Sequence, residues 1–134
     1  MNAFETALYG QLAQGTALVA LLGGTAIFNG QPPRTAAFPW VQFTMASGVE
    51  ENMTPIDSQR VVYLVKGVAQ TLLQAGSIAD ALHLRLHHAT LTVAGSTVFW
   101  AARETIVRYQ EINPAGYTIG HAGGEYAFRL ENAR

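Results

Sequence analysis

The stretch Arg60-Val61-Val62-Tyr63-Leu64-Val65-Lys66-Gly67-Val68, followed after a short gap by Gly76-Ser77-Ile78-Ala79-Asp80-Ala81-Leu82-His83-Leu84-Arg85-Leu86, decides the fold class. In the first segment Val61, Tyr63 and Val65 fall on one face and Val62, Leu64 and Lys66 on the other, so it reads as a strand largely covered on both sides. The second places apolar residues at 78, 82, 86 and 89, the stripe of an amphipathic helix, with Ser77 as N-cap and Asp80 in the first turn. Towards the N-terminus, residues 40–46 alternate Trp40, Gln42 and Thr44 against Val41, Phe43 and Met45, a second strand. Between the two strands lies a polar connection, residues 47–58, carrying Gly48, Glu50, Glu51, Asn52, Pro55 and Asp57; it is expected to protrude as a loop.

Further outward the pattern continues. Residues 3–14 form a helical face through Phe4, Leu8 and Leu12, with Asn2 as N-cap and Glu5 as its capping-box partner. Gly15 interrupts it, residues 16–22 form a second short helix, and Gly23-Gly24 stop that helix by supplying a residue with positive φ. Residues 26–28 make a brief strand, and Gln31-Pro32-Pro33 a turn. Downstream come a short strand at 91–93, a turn at 94–96, a long strand at 98–112, a Gly-rich loop at 114–124 and a last strand at 125–130. This order predicts one α+β domain over residues 1–134: a mainly antiparallel sheet, an N-terminal helical hairpin and one central helix packed on one face.

Composition narrows the function. The chain has 134 residues, no cysteine, 8 Lys+Arg, 9 Asp+Glu and a formal charge of −1, so disulfide scaffolds, Cys-ligated zinc and thiol redox chemistry are excluded. No basic surplus exists to grip a phosphate backbone. The longest apolar run, residues 17–22, is far short of the roughly 20 needed to cross a bilayer, and no basic segment precedes an apolar one at the N-terminus; a soluble protein without a membrane partner is expected. Charged residues are only 13% of the chain, about half the usual share, and Lys66 is the sole lysine. That depletion favours burial of surface against partner subunits.

Candidate chemistry is sparse. Asp80, His83 and His87 share a helix face opposite the apolar stripe, where two histidines one turn apart could hold zinc or copper; a small metal-binding enzyme carried by these three residues together with His121 is the rival reading. The His-Glu-x-x-His pattern is absent and no fourth ligand can be named, so a solvated or interfacial face is the stronger reading, supported by Leu84, which also points away from the core. Arg85 falls within the apolar sector and must snorkel or pair. Glu50 and Glu51 are adjacent loop carboxylates that serve better as salt-bridge partners than as an acid/base pair. Arg103 and Glu104 occupy opposite faces of the long strand, and Arg108 and Arg129 lie on neighbouring strands if these pair. Such arginines either meet acids across a subunit boundary or remain solvated. No nucleophile elbow, phosphate loop or dinucleotide fingerprint is present; no enzymatic activity, metal or cofactor is expected.

Taken in order, Ala17-Leu18-Val19-Ala20-Leu21-Leu22-Gly23-Gly24, Ile27-Phe28-Asn29-Gly30-Gln31-Pro32-Pro33, Phe38-Pro39-Trp40-Val41-Gln42-Phe43, Arg60-Val61-Val62-Tyr63-Leu64-Val65 and Ile78-Ala79-Asp80-Ala81-Leu82 resemble the tail-completion, or tail-terminator, family of long-tailed bacteriophages. The resemblance spans most of the chain. It implies a structural virion subunit, assembled in the host cytoplasm, that forms a six-fold ring at the head-proximal end of the tail tube. Such a ring stops tube polymerisation and joins the tail to the head-tail connector, another neck or head-closure component being the alternative role. Its partners would be copies of itself, the tail tube protein and the connector, with DNA passing through unbound. A domain of this length has a radius of gyration of roughly 14 Å, and six touching spheres of that size leave a hole about one subunit wide. The expected interface residues are Glu50, Glu51, Asp57, Asp80, His83, Leu84, His87, Arg103, Arg108 and Arg129, and the loops 47–58 and 114–124 would reach along the axis.

Overall fold

The computed structural model describes residues 2–52 and 57–132. In chain order these form α1 (Asn2–Ala13), α2 (Thr16–Leu22), β1 (Ile27–Asn29), β2 (Trp40–Glu50), β3 (Ser58–Ala69), α3 (Leu72–Leu86), β4 (Thr92–Val93), β5 (Ser96–Ile112) and β6 (Thr118–Asn132). One six-stranded sheet has the order β1-β2-β3-β6-β5-β4. The α+β class is as expected, but the sheet is mixed: β1 runs parallel to β2, while the other pairings are antiparallel. The helical hairpin is also only part of the arrangement, because α2 packs on α3 as well as on α1.

The core lies between the helices and one face of the sheet. α1 buries Phe4, Leu8 and Leu12, residues one turn apart, and α3 buries Ala75, Ile78, Leu82 and Leu86. Beneath them β3 supplies Val61, Tyr63 and Val65, and β6 supplies Ala122, Tyr126, Phe128 and Leu130. Phe4 sits 5.0 Å from Phe128 and 5.2 Å from Tyr63, centroid to centroid. The other face of β3 is covered too, since Val62, Lys66 and Val68 are buried; this is what a strand apolar on both parities requires. α2 ends as its Gly pair predicts: Gly23 has φ 71, and the Gly23 and Gly24 amides donate to the carbonyls of Ala20 and Val19.

Four local expectations are corrected. The connection 47–58 is not a free loop along its length: β2 continues to Glu50, passing a bulge between Met45 and Ser47 to pair Ser47, Gly48, Val49 and Glu50 with β3. Its expected protrusion concerns only the turn after Glu50, of which residues 53–56 lie outside the described residues. The Gly-rich segment 114–124 is mostly strand, because β6 starts at Thr118 and Gly120, His121, Ala122, Gly123 and Gly124 are buried. Those glycines answer close backbone approach. A Cβ at Gly120 would lie 2.8 Å from the Leu72 nitrogen, and one at Gly123 would collide with the Val65 carbonyl oxygen. α3 begins at Leu72, capped by Thr71, whose Oγ1 accepts from the Gln74 amide; Ser77 lies inside the helix and donates to the Leu73 carbonyl. Finally, the Glu5 carboxylate does not turn back to Asn2 but accepts from Asn29 Nδ2 at 3.0 Å and Tyr63 OH at 2.8 Å.

Candidate functional site

The histidines of α3 face β5 and β6 and are engaged there. His83 Nδ1 lies 2.8 Å from the Tyr126 hydroxyl, and the His87 ring stacks on His83 at 4.6 Å and on His88 at 3.9 Å. The Arg103 amide donates to His87 Nδ1 at 3.2 Å, and the His88 amide, held at φ 58, donates to the Ala101 carbonyl at 2.7 Å. The end of α3 therefore closes over the outer edge of β5 at residues 101–103. Burial, seconded by Arg103 and His87, holds His83 below the ordinary histidine range despite Asp80; burial, with His88 and Arg103, does the same for His87. Burial pushes the Tyr126 phenol up to about 12, against the opposing pull of Arg103. A neutral His83 and a protonated Tyr126 are the forms that suit a hydroxyl donating to an unprotonated ring nitrogen. Asp80 stands exposed, and among the described residues no group of three His, Asp or Glu is placed to hold a metal ion.

A second site is the outer half of the β5–β6 hairpin. The two strands pair out to Ile112 and Thr118, whereas β3 leaves β6 at Gly120, so the tip stands clear of the sheet as an arm. Asn113 shapes the turn: its Oδ1 accepts from the Tyr117 amide at 2.9 Å, and its own amide donates to the Tyr117 carbonyl at 2.9 Å. The arm is rooted by Lys66, whose Nζ donates to the Tyr109 hydroxyl at 2.7 Å. The Tyr109 ring stacks on His121 at 4.5 Å and 8°, and His121 Nε2 meets Glu111 at 2.5 Å. Beside the tip a groove of about 410 Å³ is lined by Phe38, Gln70, Asn113, Tyr117, Thr118 and Ile119. At the tip Ile112 and Tyr117 are 74% and 71% exposed, and further down β5, opposite Gly124, Ile106 is 69% exposed.

Residues 6–114 match the model of the family described as Tail completion protein gp17. The chain belongs to this family. The match runs from α1 through β5 and ends before β6. A chain of the virion of native gene transfer agent (GTA) particle has the same fold: TM-score 0.82, 19% identity, covering 98% of this chain and 96% of that one. No curated protein sequence matches.

In this tail completion protein the residues singled out from sequence do not form one site. Leu84, 82% exposed, projects from α3 as expected, and Arg85 pairs with α1: its Nε donates to the Gln11 carbonyl at 2.9 Å while Gln11 Nε2 donates to the Arg85 carbonyl at 2.7 Å. His83, His87 and Arg103 come together at the junction of α3 and β5. Glu50 ends β2, and Glu51 follows it, 4.0 Å from Arg129 in an exposed pair of little energetic weight. Asp57 lies at the other side of that turn, its carbonyl accepting from the Asn132 amide. Arg108 and Arg129 are on paired strands but at opposite ends, opposite Ala122 and Trp100 respectively; Arg108 passes over Gly76 of α3. Glu104 pairs with Arg60 across β6. The Lys66–Tyr109–His121–Glu111 root was missed. Its signal was there: a lone lysine in a strand apolar on both faces needs a polar partner.

Proposed function

We propose that this chain is a structural subunit of a virion, assembling with copies of itself into a hexameric ring at the head-proximal end of a phage tail tube. There it ends tube growth and presents the joint to the head-tail connector. The observation that carries this reading is the β5–β6 hairpin: in a member of a tail completion family, Ile106, Ile112 and Tyr117 stand exposed on it, while Tyr109 ties it to the buried Lys66. An isolated domain gains no stability from such residues, whereas a subunit gains by covering them.

Membership of a tail completion family supports a location in the tail or neck of a virion, to which the chain would be added during assembly in the host cytoplasm. A formal charge of −1 suits a conduit through which DNA passes unbound, because a strongly basic lumen would retain it. Glu50, Glu51, Asp80, Leu84, Arg108 and Arg129 supply exposed contact groups, while His83, His87 and Arg103 act indirectly by fixing α3 on β5. The role is structural and needs no catalytic group. The test is the mass of the purified chain by light-scattering chromatography over a range of concentrations, alone and with purified tail tubes. The expected result is a discrete species near six times 14.4 kDa, or a monomer that forms rings as concentration rises or on tube ends; a chain that stays monomeric and off the tubes under all these conditions overturns the proposal.

A further inference from the structure

Both sides of the sheet leave a long strand uncovered, and the two uncovered segments match. On one side β1 pairs only with Val41, Gln42 and Phe43, so β2 from residue 44 to 50 has no outer neighbour among the described residues. On the other side β4 pairs only with Ser96 and Thr97, and the His87–His88 closure reaches only residues 101–103, which leaves β5 from 105 to 112 without an outer neighbour among the described residues. Isolated soluble domains blunt such edges with lysine, proline or inward-pointing charge. Neither segment contains lysine or proline; a bulge between Met45 and Ser47 and the charges of Glu50, Arg108 and Glu111 are what they carry instead, and both expose apolar residues, Val49 on one and Ile106 and Ile112 on the other.

We infer that these two edges pair with each other between neighbouring copies, β5 of one copy adding β2 of the next to its sheet as an antiparallel strand, with Glu50 opposite Arg108. The inference rests on the self-assembling reading above and assigns its interface. Strand direction fits. β2, β3, β6 and β5 alternate in direction across the sheet, so β5 runs opposite to β2, and a copy rotated about an axis near the strand direction presents β2 antiparallel to it. Two different edges meet head to tail, the arrangement a closed ring requires. Charge fits as well: Glu50 and Arg108 are exposed, and neither has an ion-pair partner among the described residues.

Facing fits third. Glu50 lies opposite Gln59 on β3, in phase with the helix-facing Val61 and Tyr63, and Arg108 lies opposite Ala122, a core residue on the same side. Directly opposed residues in an antiparallel pair share a face, so the carboxylate and guanidinium meet there. The same register brings Val49 against Tyr109 on the other face and covers two exposed apolar side chains.

The absence of cysteine from the chain allows a direct test. Glu50→Cys and Arg108→Cys are introduced singly and together in the full chain, oxidised at a concentration where the wild type self-associates, and run without reductant. Opposed strand residues have the Cα separation a disulfide needs, so the double variant is expected to give a covalent ladder of multimers and each single variant monomer only. Charge exchange gives an independent reading by light scattering. Glu50→Arg and Arg108→Glu each weaken self-association by about tenfold, and the pair together restores it. A self-associating double cysteine variant without a ladder, or charge variants that show no mutual rescue, overturns the edge pairing and leaves the ring reading standing. A wild type that is monomeric at every concentration and off tail tubes overturns both.

Discussion

Leu82 and Leu84 are two positions apart on one helix, yet the first is fully buried and the second 82% exposed. The same division separates the helix-covered face of the sheet from the outer half of the β5–β6 hairpin, both of which carry Val, Ile and Tyr. In the core these residues interlock with Phe4, Tyr63 and Phe128 and hold the fold; on the arm they touch water. Apolar content therefore serves two ends in this chain, and position relative to α1 and α3 decides which. Substitutions in the two regions should separate stability from assembly.

The largest effect on stability is expected in the core. Leu82→Ala leaves a cavity under α3 and should cost about 2–5 kcal/mol in denaturant unfolding. Gly123→Ala, which drives a Cβ into the Val65 carbonyl, should cost about 1–3 kcal/mol, because backbone has to shift. At the root of the arm, Tyr109→Phe removes the acceptor for the buried Lys66 ammonium and should cost about 1–2 kcal/mol; an unchanged unfolding midpoint would show that the arm is not tied to the core through Lys66. Leu84→Ala should change monomer stability by less than about 0.5 kcal/mol, and a larger loss would erase the contrast between the two leucines.

The junction of α3 and β5 adds a pH dependence. His83 and His87 are held below the ordinary value of 6.5 in the folded chain, so the unfolded chain takes up protons first as pH falls. Their contribution is present in full above pH 6.5 and is lost progressively below it. Urea midpoints measured across that range should fall on acidification. His87→Asn, which keeps an acceptor near the Arg103 amide and cannot titrate, should flatten the curve, and an equally steep curve in this variant would remove His87 from the account.

Much of the fold was legible because local signals and tertiary packing agreed. The Phe4–Leu8–Leu12 stripe, the Gly23-Gly24 stop and the two-sided apolar pattern of β3 each had a single reading. The failures came where one residue type carries two meanings. Glycines at 120, 123 and 124 signal turns when read locally, but here they make room for Leu72, Val65 and Thr105, neighbours that no local window contains. Gly76-Ser77 likewise looked like a helix start although Thr71 caps the helix earlier. Leu84 was recognisable as an outward leucine from helical phase alone. The projecting tip, residues 111–119, was not, because it depends on where β3 stops pairing with β6, a property of the sheet rather than of the strand.

The central claim is that the core holds the fold while the arm and open edges hold the assembly. The most direct test compares the wild type with an Ile106→Asp, Ile112→Asp double variant, measuring solution mass by light scattering and the urea midpoint on the same samples. Both chains are predicted to unfold at the same midpoint when monomeric, with rings near six times 14.4 kDa formed by the wild type alone. Equal masses at every concentration, or a variant that loses its fold along with its assembly, would contradict the claim.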